Sequence, residues 1–303
     1  MRFTKPPLSI EEKITLLQGR GLLIPDIEKA KKYLNHIGYF RLTGYFKRYQ
    51  DTTTNQFRKW TTFDQVLDLY IFDRKLRLLT LDAIEKIEVS VKSQIDNIMS
   101  TKYGCFWYME KELFSLDTKT EENDYENFLS KTIEIKEKSI LTFIQAYNHK
   151  YKEEKILPAR MMLESCTLWG ISLLFRLLKT NDAKDITQVY NTYYVDLRKR
   201  LQLIVNARNI SAHHERLRNR KFITKPRVND VIFKWKYILQ KESEKIEVDP
   251  NFFNLTLIIH YLLNSISHNN DRLDRLERLF NKHPDISLES MGFDKGRKQK
   301  INS

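Results

Sequence analysis

The stretch that decides the fold is TTFDQVLDLYIFDRKLRLLTLDAIEKIEVSVKSQIDNIM, residues 61–99. Its apolar residues recur every three or four positions and form two neighbouring rows, one containing Leu67 and Ile95 and the other Val66 and Ile87. This spacing predicts one long α-helix. A helix that is apolar over so wide a face is expected at the centre of a helical bundle.

A second helix is predicted from Val195 to Leu217, where apolar residues again follow helical spacing. We expect it to pack with the 61–99 helix. The whole chain of 303 residues contains only eight Gly and seven Pro, which argues against a turn-rich β fold. The predicted class is therefore all-α, with an N-terminal helical segment (1–60), a helical core (61–235) and a C-terminal helical extension with a basic tail (236–303).

The bulk composition restricts the partners and the compartment. The formal net charge is +13, so we expect association with polyanions, of which nucleic acid is the commonest. Cys105 and Cys166 lack metal-like spacing and fit reduced thiols in a reducing compartment. The N-terminus has no secretory signal and the longest apolar run, 255–263, is too short to cross a bilayer. These features predict a cytoplasmic protein that contacts no membrane.

The chemistry-bearing residues cluster in NARNISAHHERLRNR, residues 206–220. Arg208 supplies a permanent cation, Asn209 a polar amide and His213 an imidazole, a group that titrates near neutrality. Together these three can perform acid–base chemistry on a phosphodiester without a metal. No glycine-rich phosphate loop, paired-carboxylate motif or zinc-type spacing occurs in the sequence, so we expect no cofactor and no metal.

Helical geometry gives the three side chains an arrangement. At about 100° per residue, Asn209 and His213 share one helix face. Arg208 and His213 are about 140° apart with a rise of about 7.5 Å, so they flank a groove more readily than they touch. Two copies of the helix that face each other would bring both pairs around one phosphate, which suggests a site completed by a homodimer. The alternative is that Arg208 and His213 are ordinary residues of a solvated helix.

The neighbouring residues are assigned supporting roles. His214 continues the apolar row that ends at Leu217, so we expect it to be structural, with Glu215 beside it. Adjacent positions on a helix diverge by about 100°, which disfavours a metal site at 213–215. The cations that follow are either an RNA path or a solvated loop; the closest to the motif are Arg216, Arg218, Arg220 and Lys221, and the run continues to Lys236.

Three other segments carry expectations. Ser9 and Glu12 predict a capping box, at the start of a helix pair that resembles a helix-turn-helix. The aromatic and cationic segment 33–49 is either core or a stacking platform for unpaired bases. Residues 101–124 are predicted to be an irregular insertion. The pair Asp73 and Arg77 has i,i+4 spacing and is expected to be solvated or to support the site.

The pattern Arg208-Asn-Ile-Ser-Ala-His213 resembles the Arg-x4–6-His signature of the HEPN superfamily. The longer string to Arg220, together with Ile37-Gly-Tyr-Phe-Arg-Leu-Thr-Gly-Tyr45 and the 62–89 stretch, resembles the Abi-like abortive-infection proteins of bacteria (the AbiD and AbiF group). The resemblance spans about residues 5–240. Ser211 stands where the family has Cys and Arg218 where it has Trp, which suggests that local packing differs.

The resemblance implies a HEPN-like helical bundle and a metal-independent endoribonuclease that acts as a homodimer in phage defence, under the control of a protein or RNA partner. His213 would shuttle protons, Arg208 would bind the phosphate, and Asn209 would orient either the imidazole or the RNA. Two alternatives remain open. One is a non-catalytic RNA-binding or toxin-neutralising protein, and the other is a DNA-binding regulator.

Overall fold

The computed structural model describes residues 2, 6–224, 226, 251–267 and 269–293. Within these ranges the secondary structure is twelve α-helices and short 3₁₀ turns, with no β-strand, which confirms the predicted all-α class. The helices are α1 (Ile10–Gly19), α2 (Ile27–Ile37), α3 (Tyr39–Phe46), α4 (Phe63–Tyr103), α5 (Lys119–Lys138), α6 (Thr142–Lys150), α7 (Ala159–Ser165), α8 (Leu168–Leu177), α9 (Thr180–Gln188), α10 (Tyr194–Ala212), α11 (Phe252–Ile266) and α12 (Arg272–Asn281).

Side-chain caps fix where helices begin. The predicted capping box is present: Ser9 Oγ accepts from the Glu12 N–H at 3.1 Å, and the Glu12 carboxylate accepts from the Ser9 N–H at 2.7 Å. At the start of α4, Thr62 and Gln65 exchange an equivalent pair of hydrogen bonds at 3.3 and 3.0 Å. Each pair satisfies backbone donors that have no partner inside the helix.

Helix α4 confirms the long helix predicted over 61–99 and continues to Tyr103, where Gly104 takes a left-handed conformation with φ 84°. Its buried apolar residues recur at three- and four-residue spacing on one broad face: Val66, Leu69, Phe72, Leu76, Ala83, Ile87, Val91, Ile95 and Met99. Fully burying such a side chain contributes about 1.5–3 kcal/mol. Tertiary packing of this face therefore stabilises the helix more than its intrinsic propensity does.

The chain divides into two compact units. One comprises residues 1–78 and 276–287, and the other comprises residues 79–275 and 288–303. This division by contacts differs from the predicted segments 1–60, 61–235 and 236–303, which stay a prediction about domain boundaries. The basic tail lies outside the described residues, as does all of 236–250. The C-terminal helices predicted by periodicity are present as α11 and α12.

The first unit is built on a buried polar triad. Tyr45 Oη donates to Asp73 Oδ2 at 2.8 Å, and Arg77 Nη1 donates to the same oxygen at 2.6 Å. Asp73 is 0% exposed and Arg77 4%, so the expectation of a solvated pair is wrong. Burial and the adjacent carboxylate raise the pKa of Tyr45. Two of the family-like stretches, 37–45 and 72–77, therefore meet at this triad.

The aromatic segment 33–49, predicted to be either core or a stacking platform for bases, contains both buried and exposed rings. Tyr45 and Phe46 are buried in the first unit, as core residues would be. Phe40 is 90% exposed and faces solvent. Two rings of the segment are therefore core and one is exposed, while Tyr33, Tyr39 and Tyr49 are half-buried.

The second unit is a helical bundle in which α8 packs on α5 and α10, and α10 packs in addition on α9 and α11. The predicted irregular insertion 101–124 is instead structured: α4 ends inside it, 3₁₀ turns follow, and α5 begins at Lys119. Trp107 and Tyr108 are fully buried there, and Tyr108 Oη donates to the Leu157 carbonyl at 2.7 Å. Aromatic burial had no periodic signal in the sequence and was therefore missed. Cys105 is exposed, Cys166 is buried, and both are free thiols.

Candidate functional site at the end of helix α10

Helix α10 presents one apolar face to the bundle. The side chains buried along this face are Leu197, Leu201, Leu203, Ile204, Ala207 and Ile210. Neighbouring helices α8, α9 and α11 cover it. Because three helices pack on this face, the backbone of α10 is fixed, and with it the positions from which the polar side chains at its end project.

The helix ends five residues earlier than predicted. Its last residue is Ala212, His213 is the C-cap, and His214 lies in the left-handed region with φ 59°. The His214 N–H donates to the Ser211 carbonyl at 3.2 Å and the Glu215 N–H to the Ile210 carbonyl at 2.9 Å. This pair of bonds is a Schellman motif, in which the left-handed position is usually Gly. Histidine tolerates that conformation better than most residues, and this is the sequence signal that was missed.

The early end of α10 overturns the expected role of His214. The prediction placed its side chain in the apolar row leading to Leu217, which required a helix through both residues. Since the helix has already ended, His214 is exposed, while Leu217 is buried from the loop instead. His214 therefore shapes the turn and does not fill the core.

The three residues predicted to carry the chemistry lie together at this helix end. Arg208 and Asn209 are half-buried, and Arg208 Nη1 donates to Asn209 Oδ1 at 3.4 Å. His213 is exposed, and its imidazole makes no hydrogen bond or ion pair within the described part of the chain. An imidazole in this position is accessible to a ligand or to a second subunit. Asn209 is close enough to orient Arg208, a contact that helical spacing alone did not indicate.

The cations after the motif have different environments. Arg216 and Lys221 are exposed. Arg220 pairs with Glu215, with Nη1 3.3 Å from Oε2, and both side chains are about half exposed. Such a pair contributes little to stability. The more distant cations of the predicted RNA path, Lys225, Arg227, Lys234 and Lys236, lie outside the described residues.

Arg218 was predicted to bind RNA, and that prediction is wrong. Arg218 is only 6% exposed, and its Nη1 donates to Ser290 Oγ at 3.4 Å. With the Asn219 amide oriented to satisfy its neighbours, its oxygen accepts from Arg218 Nη2 at 3.0 Å and its nitrogen donates to Ser290 Oγ at 3.2 Å. Arg218 and Asn219 thus brace the loop after α10 against the 3₁₀ turn Glu289–Met291.

At this helix end, the backbone does not favour an anion, so anion binding depends on cationic side chains. Carbonyl groups at a helix C-terminus carry partial negative charge, which disfavours a bound anion. An anion at the end of α10 must therefore be held by cations, and Arg208, Arg216 and Lys221 are the described candidates with exposed or half-exposed groups.

A comparison with protein-family models identifies the chain's relatives. The model of the Abi-like protein family matches residues 32–219, more than half of the chain. The chain belongs to the Abi-like protein family. Membership suggests a role in abortive-infection defence against phage. Neither the curated proteins nor the solved structures contain a match to this chain.

The match to the Abi-like family includes both the buried triad at Tyr45 and the whole of α10 with its Schellman turn. Its last residue is Asn219, one end of the brace, while the other end at Ser290 lies beyond it. Ser211 and Arg218, the two departures from the family pattern, are 1% and 6% exposed. Both positions are therefore packed, and the difference in local packing stays a prediction.

The described residues of this Abi-like protein contain neither a candidate membrane span nor a cluster of metal-ligand side chains. None of their helices combines the length and the apolar character that a membrane span requires. Among the same residues, no three His, Cys, Asp or Glu side chains are grouped as metal ligands would be. The expectations of a cytoplasmic location and of a metal-free site stay predictions.

One set of polar residues on α10 was missed by sequence reasoning. Arg198, Gln202 and Asn206 lie one turn apart and line a cleft between α8 and α10. Their four-residue spacing places them on one face of the helix, and this was the signal available in the sequence. These residues extend the polar surface of α10 away from His213.

Proposed function

We propose that this Abi-like protein is a metal-independent endoribonuclease of the HEPN type that acts in abortive infection. The observation that carries the proposal is the position of His213, exposed and without an internal partner at the same helix end as Arg208. A net charge of +13 supports binding to a polyanionic substrate.

The proposed reaction is attack of an RNA 2′-hydroxyl on the adjacent phosphorus. The His213 imidazole accepts the hydroxyl proton as the O2′–P bond forms, and the P–O5′ bond breaks. The imidazolium then protonates the departing 5′ oxygen, so the products are a 2′,3′-cyclic phosphate and a 5′-hydroxyl. Arg208 binds the non-bridging phosphate oxygens and stabilises the charge of the transition state. Asn209 holds the guanidinium of Arg208 in place.

The proposal includes a homodimer. Arg208 and His213 lie on neighbouring faces of one helix end, and a second copy of α10 would supply the groups that surround the phosphate from the other side. A two-fold interface places the same surface of both chains opposite itself, so a site on the axis uses both motifs.

The test is cleavage of a 5′-labelled, mixed-sequence single-stranded RNA in the presence of EDTA. We expect wild-type protein to cut it, His213→Ala to lower the rate by at least about 100-fold, and Arg208→Ala by about 100-fold or more. His149→Gln and Arg160→Ala change exposed residues of the same types elsewhere in the second unit and serve as matched controls. A 2′-deoxy nucleotide at the cut position should block the reaction, and mass spectrometry should find the cyclic phosphate.

The rival function is a non-catalytic RNA-binding protein. If wild-type protein and His213→Ala bind the RNA equally and neither cuts it, the nuclease proposal is wrong and the binding function replaces it. Cleavage that EDTA abolishes would also contradict the proposal.

A further inference from the structure

A cleft of about 330 Å³ opens in the second unit between α5, α8 and α10. Its polar lining includes Ser172, Arg176, Arg198, Gln202 and Asn206, and the ring of Trp169 lies at its edge. That volume is at the lower end of the range for small-molecule pockets, so it suits a single nucleotide and excludes a duplex.

The cleft and the motif lie on one stripe of α10. Taking Arg198 as the reference, the residues Gln202, Asn206, Asn209 and His213 all fall within about 80° around the helix axis. Asn206 and His213 are separated by about 10 Å along the axis. A strand bound along this stripe would connect the cleft with the motif.

The polar side chains that α10 contributes to the cleft have no hydrogen-bond or ion-pair partner among the described residues. Within the described ranges, Arg198, Gln202 and Asn206 make no side-chain hydrogen bond or ion pair. By contrast, Arg176 is neutralised by an ion pair with Asp124. Among the described residues, the cleft charge without an ion-pair partner is therefore that of Arg198, next to the amides of Gln202 and Asn206.

Different groups of the cleft lining suit the base, the hydrogen-bonding edge and the phosphate of a nucleotide. Trp169 is 49% exposed and has Lys131 Nζ 4.9 Å from its ring centroid, while Leu173 and Val205 add apolar surface. Aromatic and apolar surface of this kind accepts a base, amides read its hydrogen-bonding edge, and a guanidinium binds phosphate.

We propose that this cleft holds one unpaired nucleotide of the RNA strand whose neighbouring phosphate is cleaved at His213. The proposal rests on the nuclease function for the identity of the strand. A nucleotide bound in the cleft makes the enzyme specific for single-stranded RNA. Gln202 and Asn206 then set a preference for the base of that nucleotide.

The test measures binding without cleavage. Fluorescently labelled 2′-O-methyl oligonucleotides of each base, which cannot undergo 2′-hydroxyl attack, are titrated with wild-type protein and monitored by anisotropy. We expect Arg198→Ala to weaken binding about tenfold, the loss of one hydrogen bond to a charged group. Gln202→Ala should change the ranking of the four bases. Lys199→Ala removes the same charge one position away, outside the cleft lining, and should have a much smaller effect.

The outcomes separate this proposal from the nuclease proposal. If wild-type protein cuts RNA through His213 but Arg198→Ala and Gln202→Ala match Lys199→Ala in affinity, base ranking and cut positions, the subsite is overturned and the nuclease stands. If no RNA is cut but the cleft variants lose binding selectively, the subsite stands and the nuclease fails. A mononucleotide that competes as well as the oligonucleotide would overturn the assignment to an RNA strand. Circular dichroism melting checks that each variant is folded.

Discussion

At the scale of single residues, the last turn of α10 contains a buried hydroxyl that lacks a partner. Ser211 is 1% exposed, and its Oγ makes no hydrogen bond to any described residue. A buried hydroxyl left unsatisfied costs about 1–3 kcal/mol. The resemblance described above implies Cys at this position, and its weakly polar thiol tolerates an apolar site.

We therefore expect Ser211→Cys to raise the free energy of unfolding by about 1 kcal/mol without changing RNA cleavage. Chemical denaturation measures the change. Ser165→Cys is the matched control, because Ser165 Oγ donates to the Met161 carbonyl at 2.8 Å and its replacement should be neutral or destabilising. Equal effects of the two substitutions would contradict the role given to the unsatisfied hydroxyl.

His214 allows the backbone of the Schellman turn to be tested separately from its side chain. Both His214→Gly and His214→Val remove the imidazole, but only Gly adopts φ 59° without steric penalty. We expect the Val variant to be less stable than the Gly variant by about 1–2 kcal/mol, as measured by thermal unfolding. Similar melting temperatures would show that the left-handed turn is not maintained in solution.

The Gly variant also tests function. Because His214 shapes the turn, His214→Gly should keep cleavage within a few-fold of wild type, whereas His213→Ala should lose it. The same assay detects an error in assigning the two histidines: a large loss in His214→Gly would transfer the working imidazole to position 214.

At the scale of elements, the loop after α10 is held by a brace. Arg218 and Asn219 both bond to Ser290, so the position of the Schellman turn depends on a segment 72 residues away in sequence from Arg218. Arg216 and Lys221, on the same loop, are exposed. The loop therefore combines a structural cation with cations that can contact RNA.

This division predicts that removing the charge of Arg218 affects stability, whereas removing the charge of Lys221 affects RNA binding. Arg218→Ala should lower the free energy of unfolding by about 1–3 kcal/mol, because it leaves buried polar groups unpaired. Lys221→Ala should change stability by less than about 0.5 kcal/mol and should reduce the slope of log affinity for RNA against log salt by about one unit. Thermal unfolding and anisotropy titrations at several salt concentrations measure both. An unchanged melting temperature in Arg218→Ala would rule out the brace.

At the scale of the whole molecule, the proposed site requires two chains. The Arg-x4-His spacing occurs at Arg208–His213 and again at Arg278–His283, but His283 is 6% exposed and its Nδ1 lies 2.9 Å from Asp68 Oδ2. We therefore expect a second exposed set of these groups to come from another copy of α10. The proposal therefore concerns function as well as assembly, because Arg208 and His213 of one active site can come from different chains.

Mixing two inactive variants tests this requirement. Arg208→Ala and His213→Ala chains are unfolded together, refolded and assayed. If Arg208 of one chain acts with His213 of the other, the mixture should recover on the order of a tenth or more of the wild-type rate, whereas each parent alone is reduced at least about 100-fold. Light scattering confirms the dimer. No recovery in a confirmed mixed dimer would place both residues of each site on one chain.

The resemblance and the local pattern together predicted the family, the fold class and the residues of the proposed site. The all-α class, the long helix α4 and the capping box at Ser9 were predictable because helical periodicity and capping act over three or four residues. Arg208, Asn209 and His213 were predictable for the same reason, since their chemistry and spacing lie within six positions.

The features that sequence reasoning missed depend on residues far apart in the chain. Burial of the Asp73–Arg77 pair depends on Tyr45, burial of Arg218 depends on Ser290, and the cleft beside Arg198 depends on the packing of α8 on α10. By itself the sequence determined the fold class and the reactive groups, because these follow from local spacing and side-chain chemistry. Only the tertiary structure decided which cations are buried and which polar side chains lack a partner among the described residues, because both are set by neighbours that the chain brings together in space.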